Sequence, residues 1–261
     1  MCKRFTVIFV TVLLLAGISS LSWAAYILQY QGDITSNTGD GTLIATAAWD
    51  YNAGPPETSS TLEWWVSQDD ATGEWKYEYI FTVPRKGISH GIIEVSQNFP
   101  GFQYEATGTD ASGNTENLII DNEAPKWYES TGTSGENPGM PDVDLEPGGE
   151  GDLFGIKWDA PADIEDFDPL VFSITIFTDR EPMWGDFYAK DGTDNGTWVY
   201  AYNTGFGQDT AAPVADGNAL DNDGRAWVLV PDTSPVPEPA TLLLLGLGLI
   251  TLGRFAGRRK L

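Results

Sequence analysis

The sequence has one cysteine and one histidine, and each shortage excludes a class of protein. Cys2 lies in an N-terminal segment of signal-peptide type, so the mature chain is expected to have no disulfide, no thiol nucleophile and no cysteine-bound metal. His90 alone cannot form a histidine-rich zinc site, and no Gly-x-Ser-x-Gly motif accompanies it. We therefore expect a structural or exposed histidine, and a fold that is stabilised by its packed core.

Basic residues are also scarce. The chain has 14 Lys and Arg against 38 Asp and Glu, a net charge of −24. Glu238 is the only acidic residue outside residues 26–235, whereas six of the basic residues lie outside that range. Such an acidic region repels nucleic acid and anionic membranes. We therefore predict no nucleic-acid partner. Divalent cations and neutral sugars, by contrast, suit such an acidic region.

Helical periodicity is absent between residues 26 and 235, and period-two alternation takes its place. Aromatic and apolar residues occupy every second position from Trp75 to Val83, which predicts a strand. Residues 84–87 read as a turn, and 88–96 as the returning strand. Further strands are predicted at 26–31, 42–49, 62–66, 102–106, 118–120, 153–158, 170–178, 186–189, 197–203 and 225–230. The pattern predicts an all-β ectodomain of β-sandwich or jelly-roll type over residues 25–235.

One internal segment, residues 131–151, is rich in Gly, Pro and acidic residues and has no aromatic residue. It is either a linker or a long loop inside one sandwich. We favour the loop, because neither flanking half has an obvious closure of its own.

The N-terminus predicts export. Lys3 and Arg4 precede an apolar stretch, residues 5–18, and Ser22-Trp23-Ala24 supplies small residues at the spacing of a cleavage site. Residues 1–24 therefore read as a secretory signal peptide.

The C-terminal tail, residues 236–261, has three parts in a fixed order. Pro237, Glu238 and Pro239 keep the backbone extended. Residues 240–257 follow as a single predicted transmembrane helix, short against the roughly 20 apolar residues of a full span. Basic residues end the tail and hold it on the cytoplasmic side. They are Arg254, Arg258, Arg259 and Lys260.

This tail resembles the PEP-CTERM sorting signal of exported bacterial proteins. The resemblance implies that an exosortase, a membrane cysteine peptidase, recognises Pro237, Glu238 and Pro239 and removes the helix. It also implies a precursor anchored in the inner membrane and then a protein of the cell surface or extracellular matrix, often where exopolysaccharide is made. Residues 87–90, 155–158 and 179–190 resemble pieces that recur in uncharacterised ectodomains of such proteins, which implies no chemistry.

Two Gly-rich acidic turns are candidate calcium sites, because they place carboxylates and carbonyls where both can converge. The first carries Asp191 and Asp194, and the second Asp221 and Asp223. Neither is an EF-hand, and Asp is also a common turn former, so turn chemistry alone is the alternative.

The aromatic content is high, with 10 Trp, 10 Tyr and 12 Phe. An exposed Trp row would stack on sugar rings, and Trp64, Trp65 and Trp184 are the candidates. The alternative is a core that uses large aromatic side chains for buried area.

Clustered carboxylates leave a glycoside hydrolase open as well. They are Asp163, Glu165, Asp166 and Asp168 in one cluster, and Glu181 and Asp186 in another. We predict a non-catalytic matrix or exopolysaccharide-associated protein, with a carbohydrate-binding module and then a carboxylate glycosidase as alternatives.

Overall fold

The computed structural model describes residues 25–37, 41–50, 59–99, 102–121, 124–145, 151–208 and 225–231. The predicted signal peptide, the C-terminal tail and the turn with Asp221 and Asp223 lie outside these residues. Within the described ranges, no helix is both long enough and apolar enough to cross a membrane.

The described part of the chain contains fifteen strands and one short 3₁₀ turn, joined by loops. In chain order they are β1 Tyr26–Thr35, β2 Leu43–Ala45, the 3₁₀ turn Ala47–Trp49, β3 Thr61–Asp69, β4 Trp75–Thr82, β5 His90–Glu94, β6 Gln103–Asp110, β7 Thr115–Asn117, β8 Ile119–Ile120, β9 Lys126–Tyr128, β10 Leu153–Asp159, β11 Pro169–Thr178, β12 Pro182–Gly185, β13 Phe187–Asp194, β14 Thr197–Asn203 and β15 Val228–Pro231. The prediction of an all-β ectodomain is confirmed for the residues that the structure describes.

These strands form two large antiparallel sheets. The first sheet has the order β1-β3-β4-β11-β6-β7, and the second has the order β2-β14-β13-β5-β10-β8, with β9 also paired to β10. Strands β12 and β15 form a small third sheet. Many neighbours in a sheet are far apart in sequence, so most of the pairing is non-local.

Alternation along β4 explains how the sheets pack. Trp75, Tyr77, Tyr79 and Phe81 are buried, and the residues between them are half-exposed. The buried set faces the second sheet, where the Phe81 ring meets the Phe187 ring with centroids 5.0 Å apart. Residues of both sheets share one apolar cluster. The core therefore lies between the sheets.

The predicted hairpin after β4 is wrong. Strand β5 joins the second sheet, between β13 and β10, whereas the neighbours of β4 are β3 and β11. The chain crosses from one sheet to the other at residues 83–89: the Val83 N–H donates to Leu170 O in the first sheet, and the Ser89 N–H donates to Lys190 O in the second. A local turn signal cannot distinguish such a crossing from a hairpin.

Candidate ligand-binding surfaces

The outer face of the second sheet is covered by residues 131–145, which we call the strap. Met140 of the strap is buried in a small second apolar cluster with Tyr128 and Tyr188, which also includes Ile92, Leu153 and Phe206. Gly139 sits against the Tyr200 ring so closely that a Cβ there would lie 2.2 Å from Cζ. Only glycine allows this approach, and its φ of +72° also favours glycine.

Polar contacts fasten the strap along its length. The Trp198 Nε1–H donates to Thr133 O at 2.6 Å, and the Tyr188 hydroxyl donates to Pro138 O at 2.8 Å. Between them, His90 Nε2 lies 3.2 Å from Asn137 Oδ1, and Lys157 Nζ lies 2.6 Å from Glu136 Oε1. The strap is thus held by apolar burial and by side-chain contacts from four neighbouring strands, β14, β13, β5 and β10.

Burial and neighbouring charges together shift the pKa values of His90 and Lys157. Burial lowers the pKa of His90 well below its usual range, and the charges of Lys157 and Lys190 add to this, while the Asn137 hydrogen bond opposes it. Burial also opposes the charge of Lys157, yet the Glu136 hydrogen bond and the Asp159 and Glu136 charges leave the pKa of Lys157 raised. His90 is therefore a neutral structural residue under the strap, 3% exposed.

The fold brings together three carboxylates that the sequence does not predict as a group. Asp142, Asp144 and Asp152 place their ligand oxygens within 4.8 Å of one another. The buried Asp152 carboxylate already accepts hydrogen bonds from the N–H groups of Ser130, Val143 and Asp144. This arrangement anchors the C-terminal end of the strap. The only advance signal was an acid next to the start of β10.

The predicted calcium residues Asp191 and Asp194 belong to a hairpin. Strand β13 ends at Asp194, β14 begins at Thr197, and Asn195 and Gly196 between them have φ of 50° and 83°. This is the Asn-Gly geometry of a tight β-turn. Asp194 pairs with Arg85 at 3.7 Å, and neither aspartate belongs to the one three-carboxylate group found among the described residues.

The Asp191 side chain lines a cleft of about 320 Å³ together with Ser89, Asp166 and Asp168. Burial raises the pKa of Asp191, and the charge of Asp168 adds to the rise. The other predicted carboxylate pair is not available to a substrate, because Asp186 is fully buried and accepts hydrogen bonds from Asn203 Nδ2 and the Gly207 N–H. Among the described residues, the acidic cluster around Asp168 therefore borders a cleft together with Asp191, whose pKa is raised.

The three predicted sugar-stacking tryptophans have different environments. Trp64 and Trp184 are core residues, 1% and 9% exposed, so their ring faces are closed to a sugar, and the prediction is corrected for these two. Trp65 points the other way from β3 and is half-exposed. It lies on the outer face of the first sheet, in a row with Glu78, Thr175 and Glu105.

A second aromatic site, unforeseen from the sequence, lies where the strap ends. A groove of about 410 Å³ is lined by Glu94, Ser96, Gln97, Trp127, Leu145 and Phe154. Trp127 and Phe154 are cross-strand partners in β9 and β10, and their rings meet edge-to-face at 5.4 Å. Strand β9 is three residues long, and a strand this short has no periodicity that a sequence can reveal.

The comparisons with known proteins identify the tail. The PEP-CTERM protein-sorting motif matches residues 235–260. No curated protein and no solved structure matches the chain. The chain thus carries the sorting motif of PEP-CTERM proteins, which are exosortase substrates. The motif implies an exported, membrane-anchored precursor that exosortase recognises and processes.

Proposed function

We propose that the folded region is a non-catalytic component of the cell surface or extracellular matrix that associates with exopolysaccharide. The observation that carries this proposal is the sorting motif at residues 235–260, which delivers the β-sheet region outside the cell. Before processing, the same tail holds the precursor in the inner membrane.

The described side chains support a binding role over catalysis. His90 is covered by the strap, and Asp186 is buried and fully engaged, so neither meets a substrate. The outer face of the first sheet instead presents exposed side chains, among them Glu63, Glu105 and Ser173. An acidic surface of this kind favours neutral partners over anionic ones.

The test is the location of the protein in a host that has an exosortase. We expect the wild-type chain in the extracellular matrix fraction, and a Glu238→Ala chain retained in the membrane fraction, because the processing motif is altered. A Leu261→Ala chain is the matched control and should sort normally. Wild-type and Glu238→Ala chains with the same distribution would contradict the proposal.

A second candidate function is glycoside hydrolysis at the Asp168 and Asp191 cleft. The raised pKa of Asp191 beside a second carboxylate is what favours it, since one acid must stay protonated in such a reaction. Reducing ends released from polysaccharide by the wild-type chain, and lost with Asp191→Asn, would establish hydrolysis. No release by the wild-type chain would remove this candidate.

A further inference from the structure

We propose that the groove at Trp127 binds a neutral polysaccharide chain. Its residues come from three places: Glu94 ends β5, Trp127 and Phe154 are paired in β9 and β10, and Leu145 belongs to the strap. The choice of ligand rests on the proposed function, because an exported matrix protein meets polysaccharide. The groove itself is an observation independent of the sorting motif.

The aromatic wall is pre-arranged. Trp127 is half-exposed, and the Gly151 backbone packs directly on its indole, since a Cβ at Gly151 would lie 2.7 Å from Cε3. Phe154 supports the same ring from the side. The indole therefore cannot turn away freely, so little conformational entropy is lost when the apolar face of a sugar ring stacks on it.

The polar wall fits hydroxyl groups. The Asp186 N–H donates to Glu94 Oε2 at 2.7 Å and fixes this carboxylate at the groove. The exposed Gln97 carboxamide offers both a donor and an acceptor. Carboxylate and amide oxygens accept hydrogen bonds from sugar hydroxyls, while the apolar face of the ring contacts Trp127.

Charge selects a neutral ligand. Glu94 is the one charged residue among the described residues that line the groove, and it is negative. The chain as a whole has a net charge of −24. An anionic polysaccharide would meet repulsion at both scales. The volume of about 410 Å³ lies within the range of small-ligand pockets, so the groove holds a short stretch of a longer chain.

The experiment is a titration of the full-length chain in a detergent without a sugar headgroup. The probes are three neutral hexasaccharides, cellohexaose, laminarihexaose and chitohexaose, and the anionic hexagalacturonate. Tryptophan fluorescence and calorimetry measure binding. We expect saturable binding of at least one neutral probe, weaker by at least about tenfold in Trp127→Ala. Gln97→Ala should weaken it by about threefold and leave the fold unchanged, because Gln97 is exposed.

Trp65→Ala is the matched control, because it removes a half-exposed Trp from the other sheet. It should bind as the wild type does. Binding lost in Trp65→Ala but kept in Trp127→Ala would overturn the proposal, as would tighter binding of hexagalacturonate or no saturable binding of any neutral probe up to about 10 mM. Export of a chain that binds no sugar leaves the proposed surface role intact, whereas sugar binding by a chain that is never exported removes that role and keeps the groove.

Discussion

The outer faces of the two large sheets differ in what they bury. On the first sheet, Glu63, Ile80, Ser173 and Thr107 form one row across four strands, and none of these side chains is fully buried. On the second sheet, Ile92, Leu153 and Tyr188 occupy the outer face, and the strap buries all three. The described residues leave the first face open, whereas they cover most of the second with the strap.

The strand sequences reflect this difference. Strand β4 alternates buried and half-exposed residues along its whole length, as expected for a strand with one solvent-facing side. In β5, the residues from His90 to Ile93 are all buried. A strand that is buried on both sides needs a second covering layer, and here the strap supplies it. Four substitutions test this difference between the two faces.

Gly139→Ala should be the most damaging of the four. Its φ is +72°, and the new methyl group would overlap the Tyr200 ring. We expect a loss of about 2–5 kcal/mol in the free energy of unfolding, measured by urea denaturation. Gly132→Ala is the control, since its φ is also positive, at +64°, but open space surrounds it. That change should cost only the backbone strain, about 1–2 kcal/mol. Equal losses would mean that the strap does not rest on Tyr200.

Lysines on the two faces should differ in their contribution to stability. Lys157 is buried under the strap and lies 2.6 Å from Glu136 and 3.2 Å from Asp159. Lys157→Met should reduce the free energy of unfolding by about 2 kcal/mol, because charged hydrogen bonds are lost. Lys76 on the open face lies 2.8 Å from Glu78, and Lys76→Met should change stability by no more than about 0.5 kcal/mol. A Lys76 effect as large as that of Lys157 would contradict the comparison.

Acid should lower the stability of the fold through His90, which lies under the strap on the second sheet. Its pKa is lowered in the folded chain, so the unfolded chain binds more protons as the pH falls below about 6.5. The contribution of His90 to the free energy of unfolding should therefore be fully present above that pH. Below it, the free energy of unfolding should fall by up to about 1.4 kcal/mol per pH unit. His90 is the only histidine, and Asp159, whose pKa burial raises, contributes with the opposite sign at lower pH. His90→Gln should flatten the dependence of the free energy of unfolding on pH between about pH 5.5 and 6.5. An unchanged slope would mean that a group other than His90 takes up the proton.

Ser173→Thr should have the smallest effect. Ser173 is exposed in β11, at the centre of the open face. A β-branched residue suits such a position, so we expect a change within about 0.5 kcal/mol in thermal denaturation. A larger loss would indicate that another segment packs on this face.

The sequence predicts the class of fold well because period-two alternation records which side of a strand is buried. The strands around Tyr77 and Ile174 are examples, and both lie where the pattern placed them. The crossing after Val83 was missed because pairing is decided by contacts with β11 and β13, which are remote in sequence. Turn residues alone do not determine which sheet the next strand joins.

The candidate sites were harder to predict than the fold. Trp64 and Trp65 are adjacent and identical in type, so which of them faces the core depends on the register with β4. The Trp127 groove needs the pairing of β9 with β10 and the position of Leu145, neither of which has a local signal. By contrast, the sorting motif is a linear signal. The order of its residues is enough to identify it in the sequence without the fold.

The intact mass of the protein recovered from outside the cell shows whether both terminal segments are removed during export. The account predicts a chain that begins at residue 25 or 26 and ends before the apolar stretch at residue 240, so both terminal segments are gone. A secreted protein that still carries Leu261, or a chain found only in the cytosol, would contradict it.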